Sequence, residues 1–227
     1  MAGSLKSREA SFENAWQDLV KHAPALAFTY LSIIVISIIS SIVYFIVSLI
    51  FVQIGGGPYS DSGPLLGLFF GSIGSLPFYI LSSLVSVLFV AIPAVYFSKE
   101  EPVSFGDAVQ LLKAKPGRYV LAGILFMLAY FVGIFLCFVP GLAVLLVTPV
   151  YVNKVFNTDL SVTDAFSSSF SVVFKGEGWS FVGIQVLTGI VVAILTFCTC
   201  GLGGIIAIPM ATFYLQNVAY NKGLLTQ

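Results

Sequence analysis

The sequence predicts an all-α integral membrane bundle of six transmembrane helices, with three amphipathic helices lying at the cytoplasmic interface. Three observations lead there. The chain of 227 residues is 58% hydrophobic and only 9% charged, against about 25% charged in ordinary soluble domains. Its charges are confined to short stretches between long charge-free tracts. All ten Lys and Arg residues fall in alternate connections. Composition therefore excludes a water-soluble enzyme, a nucleic-acid binder and a disordered tail. The zero net charge gives no general attraction to polyanions.

The tracts define the spans. Ala23 to Ile54, Ser62 to Ser98, Tyr119 to Asn153 and Gly178 to Asn221 carry no charge. One crossing needs roughly 20 apolar residues. The first tract reads as one long helix, Leu26 to Gln53. The second exceeds one span, so the crossing is expected at Phe78 to Phe97, with Leu65 to Leu76 as a shorter interfacial segment. The third and fourth should break into hairpins at Val139-Pro140-Gly141 and at Cys200 to Gly204, where turn residues cluster. The half from Gly141 to Asn153 covers only about 20 Å as a helix, so it either crosses or re-enters. With no cleavage site close behind it, the first span is expected to remain as an uncleaved anchor.

Orientation follows from the basic residues. Lys6, Arg8 and Lys21 precede the first span, Lys99, Lys113, Lys115 and Arg118 lie between the second and third, Lys154 and Lys175 between the fourth and fifth, and Lys222 after the sixth. The positive-inside rule then puts both termini in the cytoplasm. Nine of the ten acidic residues share that side, leaving Asp61 alone outside.

Short segments before the odd spans share a pattern. Ser11/Asn14, Ser104/Asp107 and Ser161/Asp164 resemble helix-capping pairs. Apolar residues then recur at helical spacing: Phe12, Ala15, Trp16, Leu19 and Val20; Phe105, Ala108, Val109 and Leu112; Val162, Ala165, Phe166, Phe170, Val173 and Phe174. Gly176 would end the third. Phe12, Trp16, Phe105, Val109, Phe166 and Phe170 are the expected membrane-interface contacts. Pro93, Pro149 and Pro209 mark each even span near its end. Together these features suggest a threefold parallel repeat within one membrane domain, 1–227, with units of about 11–97, 104–156 and 161–220. The first unit carries an insertion around Gly55 to Leu76.

Val139-Pro140-Gly141, followed by Asp164-Ala165, Ser169, Lys175-Gly176 and Trp179, resembles a widespread group of bacterial multi-span proteins. These are similar to the membrane domain attached to some bacterial glycerophosphodiester phosphodiesterases. The resemblance covers residues 104 to 220 and implies a six-span domain in a bacterial inner, or comparable energy-transducing, membrane. It implies no catalytic residues, because the hydrolase of those proteins is a separate domain. Leu19 and Leu112 stand where the third unit has Ser169.

Chemistry is sparse in the sequence. No ionisable residue lies well inside a predicted span, which argues against proton-coupled transport. His22, just before Pro24, is expected to face solvent or headgroups, with no buried carboxylate to make a triad. Cys137 and Cys198, at matching ends of two hairpins, could be joined by a disulfide, although small apolar packing is the commoner use of such cysteines. Lys113, Lys115 and Arg118 form a basic patch able to contact anionic lipid headgroups or a partner. No cofactor or metal is implied. The expected role is non-catalytic: a scaffold or helper of a membrane assembly, with membrane lipids and other membrane proteins or further copies of the chain as partners. A transporter or lipid-handling protein for a neutral or lipidic substrate is the alternative.

Overall fold

The computed structural model describes residues 8–225, and every regular element among them is a helix. Lys6 lies outside the described residues. The helices are α1 (Phe12–Lys21), α2 (Ala23–Ile54), α3 (Gly63–Ser86), α4 (Leu88–Lys99), α5 (Phe105–Ala114), α6 (Pro116–Leu136), α7 (Phe138–Leu146), α8 (Thr148–Asn157), α9 (Val162–Val173), α10 (Gly178–Cys198) and α11 (Leu202–Asn221). Four stretches among the described residues are long and apolar enough to cross a membrane: Ala23–Ile54, Gly63–Lys99, Pro116–Leu136 and Gly178–Cys198. A fifth arises if Phe138–Leu146 and Thr148–Asn157, bent by 47°, count as one broken span. This is a multi-pass membrane protein by helix length and composition.

The chain divides into two compact units, one of Leu26–Leu88 and one formed by the segments on either side. Within the first unit, α2 and α3 pack through glycine. A Cβ on Gly67 would strike Val52, one on Gly71 would lie 3.0 Å from the Tyr44 ring, and one on Gly74 3.1 Å from Val47. Phe51 stacks on Phe70 with centroids 3.9 Å apart. This packing corrects the expectation of an interfacial segment at Leu65 to Leu76. Those residues belong to a helix that continues through Pro77 to Ser86, because their small face is pressed against α2. Small residues permit that close approach in a membrane, where no hydrophobic force separates helix from lipid.

The second unit contains both hairpins. The turn expected at Val139–Gly141 falls earlier, at Cys137, whose backbone is extended (φ −174°, ψ 130°). Phe138, Val139 and Pro140 already form the first turn of α7, where a proline's missing N–H costs nothing. Gly133 and Gly141 then meet so closely that a Cβ on Gly133 would lie 2.7 Å from the Gly141 nitrogen. The second hairpin turns through Cys200 (φ 51°) and Gly201 (φ 93°), and α10 packs along α11.

The three prolines do not behave alike. The helix breaks at Val147, just before Pro149. By contrast, Pro209 sits inside unbroken α11, and Pro93 lies inside α4 well past the break at Val87. The three Ser caps are more uniform: Ser11, Ser104 and Ser161 each accept from the backbone N–H three residues on, at 3.1, 3.2 and 3.1 Å. Ser104 and Asp107 complete a reciprocal capping box.

Candidate functional site

The polar residues of the second unit gather at one end, where α1, α4, the connection after α4 and α11 meet. The helical spacing of α1 decides which of its residues enter. Its buried face is Ala15, Asp18, Leu19 and then His22, which lie zero, three, four and seven positions along the helix. Phe12, Trp16 and Val20, expected on the same stripe as Ala15 and Leu19, point outward at 48%, 46% and 52% exposure. The helix thus turns Asp18 and His22 toward protein and its largest apolar side chains outward, with Glu13, Gln17 and Lys21 also exposed. Phe12 is nonetheless anchored, stacking on Tyr214 with centroids 4.4 Å apart.

His22 is the clearest departure from expectation. Instead of facing solvent or headgroups, it is 1% exposed. Its Nδ1 lies 2.8 Å from the Asp18 carbonyl, which can only accept. The Val103 N–H donates to Nε2 at 3.2 Å. These partners require the neutral tautomer with the proton on Nδ1. The ring packs edge-on to Tyr96 and tilted against Phe213, at 4.7 and 5.1 Å. Desolvation, outweighing the nearby Asp18 carbonyl and charge, holds its pKa below the ordinary 6.5. Both nitrogens are committed, so the ring is a clamp between α1 and the segment leading into α5.

A buried carboxylate, not foreseen in the sequence, sits beside it. Asp18 is 2% exposed. Arg8 pairs with its Oδ1 at 2.7 Å, and the Tyr96 hydroxyl donates to the same oxygen at 3.1 Å. Arg8 also donates to the Asn14 carbonyl and the Gln17 side chain. Asp18 thus meets His22 through its backbone and Arg8 through its side chain. No acid–base relay connects the two.

Further along, Tyr220 donates to Glu100 at 2.7 Å, and Glu100 itself takes a left-handed backbone (φ 57°). Gln216 donates to the Pro149 carbonyl at 2.9 Å, while its Oε1 and both polar atoms of Asn217 are buried without partners. Sequence reading missed these residues because α11 carries them on a helix that otherwise looks like lipid-facing span. Their spacing to Phe213 and Tyr220, by three, four and seven positions, is the only sequence signal that they point inward.

The basic patch is mostly engaged within the protein. Lys115 pairs with Asp159 at 2.7 Å, which lowers the Asp159 pKa. Arg118 donates from Nε to the Val155 carbonyl at 3.1 Å and from Nη2 to the Thr158 carbonyl at 2.8 Å, closing the end of α8. Lys113 is exposed. Phe105 and Val109 are half-buried on α5. Phe166 and Phe170 belong to an aromatic series running from Tyr151 through Phe174 to Trp179, with neighbouring centroids 5.1 to 6.0 Å apart.

The structure does not join Cys137 to Cys198; these two and Cys200 are free and exposed. Cys137 caps the end of α6, Cys198 ends α10 and Cys200 lies in the turn that follows. Among the described residues, no group of three His, Cys, Asp or Glu side chains is placed to hold a metal.

Hollows among the described residues of this unit include two that bear on function. One, of about 430 Å³, lies between the end of α4 and α5, lined by buried Val95 and Val103, half-buried Leu111 and exposed Lys99, Glu101 and Asp107. The other, also about 430 Å³, is an apolar groove between α7, α10 and α11, bounded by Leu142, Leu146, Val192 and Leu215, with Gln185 at its side. No protein family, curated protein or solved structure compared with the chain matches it.

Proposed function

We propose that this chain is a non-catalytic, six-span protein of a bacterial inner membrane that scaffolds or assists a membrane assembly. In this reading α2, α3–α4, α6, α7–α8, α10 and α11 cross, and α1, α5 and α9 lie on the cytoplasmic side with both termini. The one-sided Lys and Arg residues support the orientation. The three Ser-capped short helices, each followed by a pair of apolar stretches, support the threefold parallel repeat.

One observation carries the scaffold reading. Within the second unit, the apolar stretches of α10 and α6 are only 11% and 17% buried, whereas the polar end packs His22, Phe97, Phe213 and Gln216 below 2% exposure. Long apolar walls beside a solid end suit a protein that meets lipid and other membrane helices. Purification in mild detergent followed by mass measurement tests this: a stable homo-oligomer or co-purifying membrane protein is expected, and a lone monomer overturns it.

The apolar groove between α7, α10 and α11 favours a second reading, lipid handling. Its apolar lining and volume of about 430 Å³ suit an acyl chain, and the Gln185 Oε1 beside it is buried without a donor. Lipid transfer between leaflets of proteoliposomes above the protein-free rate supports this reading, and an unchanged rate removes it.

A further inference from the structure

We infer that the hollow between the end of α4 and α5 is a headgroup site for a zwitterionic phospholipid bearing a primary amine. The inference rests on reading Lys99 as the cytoplasmic end of a membrane-crossing helix. Lys99 closes the continuous apolar stretch Gly63–Lys99, so the hollow beside it lies at the depth where headgroups reside. Its volume of about 430 Å³ falls within the usual range for small-ligand sites.

The lining is complementary to such a headgroup at each level. Val95 and Val103, 2% and 7% exposed, with Leu111, make an apolar floor for the glycerol and first chain methylenes. Lys99 supplies the single cation of the rim, facing a phosphate. Glu101 and Asp107 supply two anions, facing an ammonium. Among the described residues, none of the three is in an ion pair shorter than 4 Å. Asp107 is already fixed in place, because its Oδ2 accepts from the Ser104 backbone and hydroxyl at 3.1 and 2.6 Å; its Oδ1 stays open to an incoming donor.

The charge count selects among lipids. Two anions against one cation repel a headgroup that carries only phosphate. A quaternary ammonium is attracted but cannot donate a hydrogen bond to Glu101 or Asp107, whereas a primary ammonium can donate three. The expected order is phosphatidylethanolamine, then phosphatidylcholine, then phosphatidylglycerol. This differs from an anionic-lipid contact at Lys113, Lys115 and Arg118, of which Lys115 and Arg118 are held by protein acceptors.

The test is native mass spectrometry of the full chain in detergent, titrated with equal amounts of those three lipids. Ethanolamine adducts should exceed choline adducts by about fivefold, the scale of one exposed charged contact. Glu101→Gln should remove that advantage, and Lys99→Gln should weaken both zwitterionic lipids together. Equal retention of all three lipids, a preference for phosphatidylglycerol, or a preference that survives both substitutions overturns the site. Glycerophosphoethanolamine, with the same headgroup and no chains, should not displace the adduct at equal concentration; displacement would overturn the assignment to a lipid. Failure of the chain to enter bilayers at all would instead reject the membrane reading, so the two failures are distinguishable.

Discussion

The backbone N–H of Val103 donates to Nε2 of His22 at 3.2 Å, in a site where the imidazole is 1% exposed. That bond ties α1 to the chain entering α5, and it exists only while Nε2 lacks a proton.

Stability should therefore fall as the pH drops below 6.5. The folded pKa of His22 lies below its ordinary value, so between the two values the unfolded chain binds a proton that the folded chain does not. The folded state loses ground through that window and recovers it above 6.5. Thermal melting in detergent from pH 8 to 5 should show this slope for the native chain. His22→Asn should lower stability at pH 8 by about 1–3 kcal/mol, through the lost pairing, and flatten the slope. An equal slope in both proteins would show that another group is responsible.

Arg118 and Lys115 are expected to separate sharply despite their shared charge. Arg118→Ala strips two donors from the carbonyls that end α8 and should cost about 1–2 kcal/mol. Arg118→Lys should recover only part of that, since a lysine lacks the fork that reaches both carbonyls. Lys115→Ala breaks an ion pair whose partners are largely exposed, and should barely move the melting temperature. A Lys115 effect as large as that of Arg118 would refute this ranking.

Helix contact in the α2–α3 pair should be sensitive to one methyl group. Gly67→Ala would drive a Cβ into Val52 and to 3.0 Å from the Ser48 carbonyl, costing about 1–3 kcal/mol from overpacking. Gly123→Ala on α6, where a Cβ meets nothing within 4 Å, should be nearly neutral. Melting of the two variants decides the matter, and equal losses would mean that α2 and α3 are not packed through Gly67.

All three cysteines should react with a maleimide before any reductant is added, because each is free and exposed. Mass spectrometry should find three labels both before and after reduction. One label before and three after would restore the Cys137–Cys198 bond. With a membrane-impermeant reagent on intact cells, labelling from outside is expected if the basic residues face the cytoplasm.

Much of the architecture was legible because burial in lipid leaves few options. Uninterrupted apolar tracts can satisfy their backbone polar groups only as helices, and helices fill the described chain. The three Ser caps were legible too, since a hydroxyl and the N–H three residues on interact locally. The interfacial segment at Leu65 to Leu76 was misjudged for the opposite reason. Hydropathy cannot tell a helix lying at the interface from one whose glycines are pressed against a neighbour. The first hairpin turn was misplaced because Pro140 is compatible with both a turn and a first helical turn.

The candidate site was harder to read. Along α1, both Trp16 and Asp18 obey helical spacing, and rules made for water send Trp16 inward and Asp18 outward. The structure does the reverse. What the sequence determines alone is the membrane class, the helical content and the sorting of charge, all set by composition and order along the chain. Only the tertiary structure decides that Asp18 and His22 are core residues. Their partners, Tyr96 and Val103, lie 78 and 81 positions away, and a buried polar group is stable only where such partners meet it.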